Sequence, residues 1–154
     1  VVKPGGVIHM VVPDRRFTFD HLRERTPLSH LIEDFESNTP ESDPTHIDEF
    51  VATVDFEKMW PEKDSADIPK LREEQRRQYR ETVEAGKPTG IHFHVFEKDD
   101  VIALIDFMKS YPKTRMDWDI VQVKERYPRH RRDGFLIVIQ VKRKPREKRR
   151  WIVW

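Results

Sequence analysis

The clearest pattern in the chain is a nearly unbroken apolar run, Val7-Ile-His-Met-Val-Val12, with a turn before it and a proline after it. Lys3-Pro4-Gly5-Gly6 is turn chemistry, because proline fixes φ and glycine reaches conformations closed to other residues. A β-branched run without alternation predicts a strand buried on both faces, as in a parallel α/β sheet. Pro13 ends it for want of a ladder N–H. Asp14, Arg15 and Arg16 therefore leave its carboxyl end, the edge at which open α/β sheets bind ligands. His9, inside the run, reads as a hydrogen-bonded core residue.

Helical spacing follows. A short helix is expected from Thr18 or Asp20. Thr26 as N-cap and Pro27 at the first position open the next one, with Leu28, Leu31, Ile32 and Phe35 as its apolar stripe. His30 and Asp34, four residues apart, share the opposite face. Thr45 and Asp48 resemble a capping box ahead of the stripe Ile47, Phe50, Val51 and Val54, with His46, Glu49 and Thr53 on its flank. Asp67-Ile-Pro69 opens a strongly polar helix that ends at Gly86. Residues 15–89 are too many for a loop and read as a helical cap over the ligand edge. Ile91 to Phe96 alternates, which predicts an extended segment with His92, His94 and Phe96 on one face. A helix from Asp99 to Ser110 and two strands, Trp118 to Tyr127 and Gly134 to Val141, complete the pattern, the strands pairing as a hairpin.

Two stretches in this order carry a resemblance. Lys3-Pro-Gly-Gly, the strand and Pro13-Asp14 come first, and His92-Phe-His-Val-Phe-Glu-Lys-Asp-Asp-Val-Ile-Ala-Leu-Ile105 leads into the last large helix. Together they resemble the C-terminal half of class I S-adenosylmethionine-dependent methyltransferases, from roughly Lys3 to Lys144. The resemblance implies an α/β fold: the C-terminal half of a Rossmann-like domain, with a mixed sheet, an antiparallel last strand between its neighbours, and the helical cap. Residues 1–144 would be this partial domain and residues 145–154 a basic, aromatic tail, read as a solvated terminus. The family grips its cofactor with a glycine-rich loop after its first strand. The five glycines here contain no G-x-G, so the chain reads as a C-terminal fragment. Its cofactor-binding residues are unassigned, and S-adenosylmethionine is expected to bind it weakly or not at all.

The implied reaction is methyl transfer to an oxygen or nitrogen of a small molecule or sugar, with this chain on the substrate side and inactive alone. A histidine base beside a carboxylate suits it, which selects His94, His30 and Asp34 as catalytic candidates. Asp14, Arg15, Arg16, His46, Glu49 and His92 are the substrate-binding candidates. Arg15 and Arg16 are either a fork for a carboxylate or phosphate, or surface ion-pair partners. His30 with Asp34 and His46 with Glu49 read equally as ordinary exposed helix pairs. His92-x-His94 is also a metal-ligand spacing, but further ligands must come from the cap, and no metal is expected. Two other classes stay open: a non-catalytic interaction domain that forms a homodimer through an exposed strand edge, and a metal-dependent hydrolase built on the histidines.

Composition adds limits. Charged residues make up 37% and apolar residues 36%, against a usual charged share of about 25%, so the core is modest. A net charge of +1 names no partner, and no nucleic acid is expected. The absence of cysteine excludes disulfides and thiolate chemistry and fits a reducing, cytoplasmic compartment. No apolar run approaches the ~18 residues that span a bilayer.

Overall fold

The last strand among the described residues occupies the middle of its sheet. A computed structural model describes residues 2–40, 43–112, 114 and 116–143. In it β1 (Val7–Pro13), β2 (Met116–Tyr127) and β3 (Gly134–Arg143) form one sheet in the order β1-β3-β2. Both pairings are antiparallel, so β1 and β2 run the same way on either side of β3. The final strand thus lies between its neighbours as expected, but no parallel pair occurs among the described residues and the sheet is antiparallel rather than mixed. Among the described residues five α-helices accompany it: α1 (Leu28–Ser37), α2 (Pro44–Thr53), α3 (Phe56–Met59), α4 (Ile68–Glu84) and α5 (Lys98–Ser110). The domain is α/β. The whole of the basic tail, residues 145–154 with its tryptophans, lies outside the described residues.

This topology corrects the expectation for β1. The strand is an edge, and its side chains alternate: Val7 and Val11 are exposed, whereas Ile8, Met10 and Val12 pack on the core. His9 falls on the exposed face and is no core residue. The segment buried on both faces is Phe135 to Ile139 of β3, because it alone has a strand on each side. Gly134 lets β3 start so close to β1: a Cβ there would stand 2.4 Å from the Val12 carbonyl oxygen.

α5 covers the inner face. Val101 and Ile105 meet Phe135, Ile137 and Ile139, with Ile8, Met10, Ile120 and Trp118 around them. Each such aliphatic side chain contributes about 1.5–3 kcal/mol by leaving water. Glu97 and Asp100 close a capping box at its start, as two carboxylates suit the positive end of a helix.

A second core lies in the helical layer, where Ile47, Phe50, Val51, Val54 and Phe56 are buried. Tyr79 and Val83 of α4 pack against it, and Arg80 pairs with Asp48 of α2 at 2.8 Å, so the polar helix is a lid on α2. The caps differ from expectation. Asp43, accepting from the Thr45 N–H, starts α2 ahead of Pro44. Thr26 does not cap α1; its hydroxyl accepts from Val95 N–H at 3.0 Å, while its own N–H donates to the Val95 carbonyl at 3.1 Å. In place of a helix near Thr18, a single 3-10 turn spans Arg15–Phe17.

Phe50 joins this core to Phe19 and Tyr79 by ring contacts, and only 1% of it is exposed. Phe50→Ala should cost about 3–5 kcal/mol, whereas Phe35→Ala, at a position 67% exposed, should stay within about 0.5 kcal/mol. Urea unfolding midpoints of the two variants check this.

Candidate functional site

The two cores meet at a polar seam at the carboxyl end of β1. Its centre is Arg23, whose side chain is 1% exposed. Its guanidinium donates to Asp20 at 2.8 Å, to the His92 carbonyl at 2.7 Å, to the Phe93 carbonyl at 3.2 Å, and bidentately to Glu49 at 3.2 and 2.5 Å. Its charged plane also lies 5.2 Å from the centre of the Phe50 ring. One side chain therefore ties the loop after β1, helix α2 and the 91–97 segment together. Buried arginine is tolerated here because its donors meet carboxylates and carbonyls.

That arrangement explains why 91–97 is not a strand. Its carbonyls are taken by Arg23, and Val95 is bonded to Thr26, so the segment bends at Phe93 and His94. The two histidines diverge instead of sharing partners. His92 Nδ1 is 2.7 Å from Asp20 Oδ2, and its ring stacks on Phe19 at 5.2 Å. His94 turns toward α1 and α2.

There it joins a cluster. Asp34 Oδ2 stands 2.8 Å from His94 Nε2, 3.3 Å from His46 Nε2 and 3.4 Å from His30 Nε2. His30 Nε2 and His46 Nε2 are 3.3 Å apart. α1 supplies His30 and Asp34 one turn apart, α2 supplies His46, and the bent segment supplies His94. Three imidazoles with one carboxylate, brought together from α1, α2 and the 91–97 segment, are a transition-metal donor set. Clefts of about 330 and 320 Å³ open at the cluster, both lined by His46 and His94.

Charge in the seam follows from burial and pairing. Desolvation pushes the Asp34 carboxyl up, but His94, His30, Thr39 and His46 together hold it below its ordinary range. Burial, aided by the repulsion of His46 and His30, lowers His94 against the pull of Asp34, which keeps its ring neutral at neutral pH. Desolvation likewise raises Asp20, and the stronger combined effect of His92 and Arg23 lowers it.

The other candidates are occupied by protein partners. Arg16 grips Asp14 with two bonds, at 2.9 and 2.7 Å, and Asp14 also caps the 3-10 turn through the Arg16 N–H. Arg15 donates to Glu97 at 3.0 Å and to the carbonyls of His21 and Arg23. Glu49 is held by Arg23. A small cleft of about 110 Å³ does sit at the end of β1, where Pro13, Arg15, Asp20, His92 and His94 converge. Arg23 went unnoticed in the sequence, and Asp20 and Thr26 were read only as helix caps. The one available signal was the i, i+3 acid–base pair Asp20 and Arg23, which looks the same whether buried or exposed. No family model, curated protein or solved structure matched the chain.

Asp20 gives this seam a pH signature. Its folded carboxyl lies below the ordinary value of 3.8. Its ionised form therefore stabilises the fold above that value, and the contribution disappears as the pH falls through the depressed one. Asp20→Asn should lower stability at pH 7 and flatten the acid limb of the stability profile, as read by thermal melts from pH 7 to 2.

Proposed function

We propose that this chain is the acceptor-side half of an S-adenosylmethionine-dependent methyltransferase acting on an oxygen or nitrogen of a small molecule or sugar. The observation that carries this reading is the polar seam at the carboxyl end of β1, in a sheet whose last strand lies antiparallel between its neighbours. A sheet of this order suits the C-terminal half of a Rossmann-like domain, and its ligand edge is where such a domain works.

The cofactor's own contribution is an electrophilic methyl group. The described residues do not fit it. Gly5 and Gly6 lie in the turn before β1, Gly86 and Gly90 follow α4, and Gly134 begins β3; none lines a cleft of the seam. The adenosyl grip therefore belongs to another part of the enzyme, and this chain's residues act on the acceptor alone. An acceptor entering either cleft meets His46 and His94, and in the cleft of about 330 Å³ Arg23 and Glu49 form part of the wall. Its hydroxyl proton is drawn off at the His94–Asp34 pair, where a neutral ring takes it and the carboxylate holds the cation that forms. The rigid seam contributes orientation, the larger share of a displacement reaction's catalysis.

Two measurements test this. Titration of the chain with S-adenosylmethionine should show no micromolar binding; a micromolar dissociation constant contradicts the division of labour. In a protein that carries this chain together with a glycine-rich cofactor strand, His94→Ala should reduce labelled methyl transfer about 10²–10⁴-fold, and an unchanged rate rejects the role of the cluster.

One observation favours a second reading, an interaction domain. β1 is an edge strand with Val7 and Val11 exposed, which invites pairing with a second copy. Light scattering at high concentration should then give a dimer, disrupted by Val11→Lys. A monomer removes this reading.

A further inference from the structure

We propose that His30, Asp34, His46 and His94 form a binding site for one divalent first-row transition-metal ion of the zinc type. The inference goes beyond methyl transfer and rests on the positions of four ligand atoms. Those atoms all lie within 4.8 Å of one another. A tetrahedral zinc ion with bonds of about 2.0–2.1 Å needs ligand atoms about 3.3–3.4 Å apart. Three edges of the cluster have that length: His30–His46 at 3.3 Å, His46–Asp34 at 3.3 Å and His30–Asp34 at 3.4 Å. As hydrogen bonds these separations are poor, since N–H···O bonds run about 2.7–3.2 Å. Asp34 Oδ2 faces three imidazole nitrogens, and only the 2.8 Å contact with His94 has ordinary hydrogen-bond length; an ion among the four atoms accounts for the other two.

Burial supports the same reading. His46 is 8% exposed, and its Nδ1 is buried without a hydrogen bond. Its other nitrogen points into the cluster. Binding a metal through Nε2 puts the proton on Nδ1, which then faces Asp43 Oδ1, 3.7 Å away. A carboxylate behind a ligating histidine is the usual outer-shell arrangement and fixes the tautomer.

The donor set selects the ion. Imidazole nitrogens suit zinc, iron, cobalt and nickel, whereas calcium and magnesium want oxygens. The four ligands come from α1, α2 and the 91–97 segment, so the ion cross-links the helical layer to the segment that follows it. Two of its ligands, His46 and His94, line both clefts. With four protein ligands the tetrahedral site would be closed, as structural sites are, and His30, Asp34, His46 and His94 would hold the ion.

Metal-stripped chain titrated with cobalt(II) should develop the visible ligand-field bands of a tetrahedral site at one equivalent, and zinc should displace them. His30→Ala, at the most exposed ligand, should weaken zinc at least about 10–100-fold, the loss typical even for outer-shell partners. His46→Ala and His94→Ala should do the same, with circular dichroism verifying that each variant is folded. His9→Ala, on the exposed face of β1, should bind as the parent does. No stoichiometric binding, or binding that survives these substitutions in folded protein, overturns the proposal. Neither result depends on S-adenosylmethionine, so this site and the methyl-transfer reading fail separately.

Discussion

A single buried cation holds this architecture together. Arg23 lies where two small hydrophobic cores approach each other, and its guanidinium is shared by the loop after β1, helix α2 and the 91–97 segment. Removing one partner of such a buried network typically costs about 3–5 kcal/mol, because a charge is left uncompensated. For a domain whose total stability is about 5–15 kcal/mol, that is a large share. The network adds little net energy over an apolar substitute. Its effect is to fix one arrangement: carbonyls at His92 and Phe93 have a partner only if the segment bends where it does.

That constraint reaches the candidate site. With its two carbonyls held and Val95 tied to Thr26, the segment delivers His94 toward Asp34 and His92 toward Asp20. Glu49, on the same helix as His46, is pulled onto Arg23 and sets the rotation of α2. The convergence of His30, Asp34, His46 and His94 is thus a consequence of packing around one arginine, reached from three separate stretches of chain. Preorganisation of this kind, in side chains whose partners are already chosen, is what a binding or catalytic site requires.

Much of the scaffold was legible because it depends on local pattern. α4 and α5 follow their apolar spacing and their caps, and β2 and β3 follow theirs. β1 was also legible as a strand, but its burial was not. Whether an apolar run is buried on one face or two depends on which strand takes the centre of the sheet, and that position went to β3. Residues 91–96 alternate as a strand does, yet side-chain and backbone partners from Arg23 and Thr26 replaced the ladder. His30 and Asp34 were visible as an i, i+4 pair, and His92-x-His94 as a spacing. The meeting of His30, Asp34, His46 and His94 was not visible, because a contact between residues 30, 46 and 94 leaves no mark on local periodicity. Arg23 was hidden for the same reason: a charged residue in a charged loop carries no sign of burial.

The central claim is the convergence itself, and ring-to-ring nuclear Overhauser effects in the metal-free protein test it most directly. The ring centres of His30, His46 and His94 are 5.4, 5.5 and 5.2 Å apart in pairs, so cross-peaks between imidazole protons are expected for all three pairs. A spectrum in which His94 shows contacts to neither His30 nor His46 would mean that the 91–97 segment lies elsewhere, and the seam described here would not exist.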